Sequence, residues 1–297
     1  MNLNYPKIGL ENLDNLWFQV SGTICNIECG HCFNNSGPRN HKFEFMSYED
    51  CETLLEESKN LGVKEYYFTG GEPFANKEIL KILRKTLEIG PATVLTNGIL
   101  ITKQSAMELS KISDDSIYSL EIRVSIDGYT EEMNDGIRGK GVFKKAMNGV
   151  KLLYENGFLP IITVTKTWDE SEDENVLTNF YKLLKDHGYS GPRIKILPSL
   201  KIGQEQNRTH GYEKYEYVSE EMLTEDYDVA QLICSNSRIA TSKGVYVCPI
   251  LVDFEDANMG NKLNESMVEF ELKHQACYTC YLYGAICSNF SSGRRDA

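Results

Sequence analysis

Three cysteines within eight residues, Cys25, Cys29 and Cys32, constrain this chain more than any other feature. They lie in the run GTICNIECGHCFN, residues 22–34, as C-x3-C-x2-C. So short a loop cannot aim three thiolates at separate targets, so they converge on one object. A disulfide takes two and strands the third. A structural zinc site takes four nitrogen or sulfur ligands, usually as two separated pairs. A four-iron cluster can take three cysteines and leave one iron open to a substrate or cofactor. His31 lies inside the run, but the adjacent Cys32 turns its ring away from a role as fourth ligand.

The run sits in a regular alternation of strands and helices. Strands are predicted at 16–20, 64–69, 92–96, 119–126, 159–165 and 193–197. Helices are predicted between them at 48–60, 76–89, 102–111, 141–156 and 173–187. Ser47 supplies an N-cap for the first helix, with Asp50 three residues on, and Gly62 closes it. The second strand runs into Thr69-Gly70-Gly71-Glu72-Pro73. Six strands at this spacing fit right-handed β–α–β units and a parallel sheet.

A doubly wound sheet and a curved partial barrel share this string, and the strand at 119–126 separates them. Ile122, Val124 and Ile126 fall on one face, and Glu121, Arg123, Ser125 and Asp127 on the other. A parallel strand covered by helices on both sides is apolar throughout. A polar face fits a strand lining a ligand-filled lumen. Thr163, Thr165, Arg193 and Lys195 repeat the pattern on the next two strands, which favours the barrel over wetted edge strands.

From 200 to 233 the periodicity dissolves into a long connection over the barrel mouth, with a short helix expected at 220–232. Cys234 and Cys248 then bracket a hairpin with strands at 239–241 and 245–247. Cys277-x2-Cys280 and Cys287 follow. Two pairs at this spacing form a metal site that suits zinc and iron–sulfur equally. The expected organisation is a barrel at 1–199, a connection at 200–233 and a cysteine-rich unit at 234–297. Cys51, alone in the first turn of its helix, reads as packing.

Composition narrows the partners. With 297 residues, 41% hydrophobic and 25% charged, the chain has ample core for one large domain plus an appendage. A net charge of −12 excludes nucleic acid and anionic membranes as main partners. No apolar run approaches the ~18 residues of a membrane span, and no secretory signal opens the chain. Nine cysteines clustered towards the two ends read as metal ligands in a reducing compartment, by default the cytoplasm.

The cysteine run after a strand, joined to Gly-Gly-Glu-Pro at the end of the next, resembles the radical S-adenosylmethionine (radical SAM) superfamily. The resemblance implies a partial (β/α)6 TIM-like barrel. It implies a [4Fe–4S] cluster on Cys25, Cys29 and Cys32 whose open iron chelates the amine and carboxylate of S-adenosylmethionine. Reduction then yields a 5'-deoxyadenosyl radical. Carried over by position, Phe33 lies near the adenine, and Gly70, Gly71 and Glu72 near the amine. Asn97, Ser125 and Asp127 lie at strand ends where barrel active sites collect, with Ser125 at the ribose and Arg138 at the carboxylate.

The C-x13-C pair with a glycine before its second cysteine, followed by C-x2-C, resembles the twitch domain, a shortened relative of the SPASM domain. By that match Cys234, Cys248, Cys277 and Cys280 hold an auxiliary [4Fe–4S] cluster. A full SPASM domain has seven cysteines and two clusters; the five here leave Cys287 as a spare, for packing, alternative ligation or hydrogen-atom donation. The implied function is hydrogen abstraction from a small molecule of sugar, cyclitol or nucleoside type, ending in dehydrogenation or epimerisation. A flavodoxin- or ferredoxin-type protein would be the reductant. The alternative is maturation of a ribosomal peptide, although residues 1–14 are too few for a leader-binding module. A non-catalytic iron–sulfur redox protein needs neither the Gly-Gly-Glu-Pro loop nor a polar lumen.

Overall fold

The structure, a computed structural model, describes residues 4–284 and residue 286. A short strand β1 (Lys7–Ile8) precedes β2 (Asn15–Gln19), which delivers the cysteine loop. The alternation then runs α1 (Tyr48–Ser58), β3 (Glu65–Thr69), α2 (Ile79–Thr86), β4 (Ala92–Thr96), α3 (Lys103–Asp114) and β5 (Leu120–Ser125). It continues with α4 (Glu131–Arg138), α5 (Val142–Glu155), β6 (Ile161–Thr165), α6 (Asp173–Asp186) and β7 (Arg193–Leu197). Beyond it come α7 (Gln204–Thr209), β8 (Ser237–Thr241), β9 (Gly244–Tyr246), β10 (Phe270–Glu271) and α8 (Ala276–Tyr283).

One eight-stranded sheet carries the fold, in the order β7-β6-β5-β4-β3-β2-β8-β9. Strands β2 to β7 pair in parallel as sequence neighbours, as β–α–β units require. The two faces of this sheet differ. Leu16, Phe18, Phe68, Val94, Ile122, Val124, Ile162 and Val164 turn outward into one hydrophobic core with the helices. Trp17, Leu95, Ser125, Thr163 and Thr165 turn inward and line a cavity. Strand β5 lies between β4 and β6, so its polar face borders a lumen and is not an edge wetted by solvent. Adjacent inward rings stack: Trp17 and Tyr67 lie 4.2 Å apart at 13°, and such a pair adds about 0.5–1.5 kcal/mol beyond burial.

Four elements differ from the sequence expectation. The hairpin between Cys234 and Cys248 forms as expected, but β8 also pairs in parallel with β2 and extends the barrel sheet. Residues 220–232 form no α-helix but two 3-10 turns, Glu220–Met222 and Val229–Gln231. Asp228 takes the Ala230 N–H (3.1 Å) on its own side chain, and that local bond competes with a helix ladder. Helices α4 and α7 were not anticipated, and both pack on the cysteine loop. A two-stranded sheet, β1 with β10, ties the start of the chain to the cysteine-rich part.

Candidate functional site

The cysteine loop between β2 and α1 is closed by its own backbone and by Asn76. Thr23 Oγ1 accepts the Phe43 N–H (3.1 Å), and Cys25 N–H donates to Gly37 O (3.3 Å). Asn76 Nδ2 bonds both Val20 O (2.7 Å) and Met46 O (2.9 Å), pinning the loop's two ends. The Gly-Gly-Glu-Pro loop lies directly against this one: Gly71 N–H donates to Gly22 O (2.8 Å) and Glu72 N–H to Ile24 O (3.1 Å). A Cβ on Gly71 would overlap the Ile24 carbonyl, so this close approach requires glycine. Glu72 is fully buried and ties the loop to the end of β4. It accepts from Thr96 Oγ1 (2.6 Å), Phe74 N–H (3.0 Å) and Asn97 N–H (2.7 Å). Burial pushes its carboxyl pKa up, against the pull of those three bonds and Arg138.

Cys25, Cys29 and Cys32 face one cavity of about 1170 Å³, counting the part open to solvent. Gly70, Gly71, Asn97, Ser125, Arg138 and Phe33 border the same space. The donor set fits an iron–sulfur cluster. No disulfide consumes a thiol, and N–H groups point at two sulfurs: Ser36 N–H to Cys32 Sγ (3.2 Å) and Asn97 Nδ2 to Cys25 Sγ (3.7 Å). Burial raises the Cys25 thiol to about 12. Burial likewise raises Cys29, to about 11, with Arg138 pulling the other way. Such thiols ionise on binding a metal, which releases their protons. Among the described residues no three Cys, His, Asp or Glu side chains are grouped for a single metal ion. A four-iron cluster is held at separate corners, so its thiolates need not meet at a point.

Asp127 organises the far wall. It is fully buried; Oδ2 lies 2.6 Å from His31 Nε2 and 2.5 Å from Arg138 Nε, and Oδ1 accepts the Thr165 N–H (2.7 Å). Burial opposes its charge, but Arg138, His31 and the Thr165 N–H outweigh that and hold the carboxyl well below its ordinary range. Arg138 is the last residue of α4, and Ile137 O beside it accepts the Gly30 N–H (2.8 Å), docking the helix on the cysteine loop. From the other side, Gln204 N–H donates to Cys32 O (2.9 Å). A Cβ on Gly203, whose φ is +62°, would overlap the Phe33 carbonyl, so this clasp too depends on glycine. Ser125 Oγ and Thr163 Oγ1 lie 3.2 Å apart on the lumen wall.

Cys234, Cys248, Cys277 and Cys280 line a second, apolar cavity of about 320 Å³, again counting the part open to solvent, walled by Leu232, Val247, Leu251, Phe270 and Leu272. All four are buried, none in a disulfide, and burial holds Cys234 and Cys277 well above the ordinary thiol range. Four thiols lining one apolar pocket, but not gathered on a single metal ion, fit the separate corners of a four-iron cluster. Beside it lies Arg238, fully buried, whose N–H groups bond the carbonyls of Cys234, Ser237, Ser266 and Val268 at 2.8–2.9 Å.

The structure thus gathers the expected residues Cys25, Cys29, Cys32, Phe33, Gly70, Gly71, Asn97, Ser125 and Arg138 around one cavity. It places Glu72 and Asp127 behind the wall as tethers, and groups Cys234, Cys248, Cys277 and Cys280 at a second site. Cys287 lies outside the described residues. Cys51 is in the helix-side core. Sequence reasoning missed the tie between His31 and Asp127, the Gly203 clasp and Arg238. Only α4 had a readable signal, namely Thr130 as N-cap, Glu131 and Glu132 in the first turn, and Gly139 after the end.

Three comparisons bear on this arrangement. The profile of the radical SAM superfamily matches residues 20–177. A GTP 3',8-cyclase from Petrotoga mobilis is 28% identical over 59% of this chain and 53% of its own length. Mycofactocin maturase MftC from Mycolicibacterium smegmatis is 30% identical over 45% of this chain and 33% of its own. The chain therefore spans about half or less of these curated relatives. SuiB from Streptococcus suis, solved bound to S-adenosylmethionine and bound to precursor peptide SuiA, has a TM-score of 0.61 at 17% identity. The peptide-bound match covers 85% of this chain and 63% of SuiB, and this likeness shows the fold, a TIM-like partial barrel.

Proposed function

The chain belongs to the radical SAM superfamily, and we propose that it abstracts a hydrogen atom from a substrate held in the barrel lumen. Enzymes of this family use a [4Fe–4S] cluster and S-adenosylmethionine. Cys25, Cys29 and Cys32 are the residues that would hold the cluster here. Bound there and reduced by one electron, it supplies the cleavage of S-adenosylmethionine to methionine and a 5'-deoxyadenosyl radical. The observation that carries the reading is the convergence of the three thiols on a cavity shared with Gly70, Gly71, Asn97, Ser125 and Arg138.

The protein's own contribution is position and exclusion of water. Asp127 holds Arg138 at the cavity edge with its guanidinium desolvated and aimed, which suits a carboxylate of the cofactor. Glu72 locks the Gly-Gly loop so that its backbone borders the same space. Asn97 bridges Asn26 and Cys25, and the Ser125–Thr163 pair offers hydroxyls to a ribose or substrate. Cys234, Cys248, Cys277 and Cys280 would hold an auxiliary cluster, supplying an electron acceptor for the substrate radical. A flavodoxin- or ferredoxin-type protein would supply the first electron.

The Ser125, Thr163 and Thr165 hydroxyls on the lumen wall support a small hydroxylated substrate of sugar, cyclitol or nucleoside type, oxidised or epimerised at carbon. A peptide is the second reading, favoured by the SuiB fold, solved with a precursor peptide, and by the maturase relative. Deuterated candidates of each class test the choice. Deuterium appearing in 5'-deoxyadenosine from a polyol or nucleoside, and not from peptides, supports the first reading; the reverse overturns it.

A further inference from the structure

Arg238 is the largest charged group buried beside the second cysteine site, and nothing anionic in the described chain accounts for it. Its side chain is wholly inaccessible. Its partners are four backbone carbonyls, of Cys234, Ser237, Ser266 and Val268. Among the described residues no carboxylate forms an ion pair with it. Carbonyl dipoles solvate a guanidinium in part, but a buried net charge is costly unless an opposite charge lies near. The groups whose negative charge would act on it are Cys234, whose carbonyl it bonds at 2.8 Å, and Cys248. An arginine guanidinium stays charged across the pH range of folded proteins, so Arg238 is a cation here.

Four neutral donors would serve four carbonyls as well, so the hydrogen bonds alone do not explain a cation here. Four thiolates around a [4Fe–4S]2+ core carry a net charge of about −2, and about −3 after one-electron reduction. We infer that Arg238 is the buried counter-ion of the cluster held by Cys234, Cys248, Cys277 and Cys280, favouring its more negative, reduced form. Arg238 is thus a positioning and tuning residue that makes this cluster a better electron acceptor. The inference rests on the auxiliary-cluster reading of the proposed function.

The test is an EPR-monitored redox titration, with iron counts, of the full reconstituted chain as wild type, Arg238→Lys and Arg238→Gln. In the glutamine variant the reduced-to-oxidised ratio of the auxiliary cluster at fixed potential should fall at least tenfold, about 59 mV for one electron. The lysine variant should stay near wild type, and the cluster on Cys25, Cys29 and Cys32 should not move. Loss of the second cluster from the glutamine variant alone, with lysine retaining it, also supports a need for charge. An unchanged potential in the glutamine variant overturns the inference. Equal shifts, or equal cluster loss, in both variants overturn it too, because the carbonyl bonds and not the charge would then be responsible. A wild-type protein with about four irons, or with zinc at the second site, defeats the cluster reading itself and the inference with it.

Discussion

Asp127 shows how one buried carboxylate can set the geometry of a site it does not enter. It fixes His31 from the cysteine loop, Arg138 from α4 and the backbone of Thr165 at the end of β6. Asp127→Asn would leave the Arg138 guanidinium buried without its charge partner, which typically costs about 3–5 kcal/mol. Urea unfolding should show that loss. The acid response follows from the depressed pKa of Asp127. Its stabilising charge is present above the unfolded value of about 3.9 and is lost as pH falls towards the lower folded value. Between about pH 4 and pH 2 the wild type should therefore lose more stability than Asp127→Asn, read as the difference in melting temperature between the two. The cysteines were legible because their spacing is local. Asp127 was legible only as a polar residue at a strand end, since its partners arrive from segments that only the fold brings together.

At the scale of elements, the decisive contact is between two loops. The Gly-Gly-Glu-Pro loop hydrogen-bonds the cysteine loop through backbone N–H groups, and Gly71 permits the approach. Gly71→Ala should force the loops apart at a cost of about 1–3 kcal/mol and weaken S-adenosylmethionine binding, measurable by calorimetry on the reconstituted protein. Thr130, whose side chain accepts from Met133 N–H (3.3 Å), caps the helix that ends in Arg138. Thr130→Ala should cost about 1 kcal/mol in denaturant unfolding. Strands β2 to β7 and helices α1, α2, α3, α5 and α6 were readable from hydrophobic period and glycine stops. Helix α4 left only cap signals. The expected helix at 220–232 broke because Asp228 bonds its own neighbours and Leu232 turns into the core around the second site.

For the whole molecule, the sheet joins what the sequence divided. The β/α order and polar inner face announced the barrel, but parallel pairing of β8 with β2 has no local signature. Register between strands more than 200 residues apart is set by packing around Trp17 and Ile239, not by motif. One consequence is that both cysteine sites hang on strand β2 and its neighbour, so the distance between them is fixed by a continuous sheet.

The central claim is that Cys25, Cys29 and Cys32 arm a site that cleaves S-adenosylmethionine. Its most direct test is 5'-deoxyadenosine formed anaerobically from S-adenosylmethionine and dithionite by the reconstituted chain, beside Cys29→Ala. The account predicts 5'-deoxyadenosine with matching methionine from a brown protein, falling to background in the variant with about four irons lost. A colourless wild-type protein, or 5'-deoxyadenosine that survives Cys29→Ala undiminished, would contradict it.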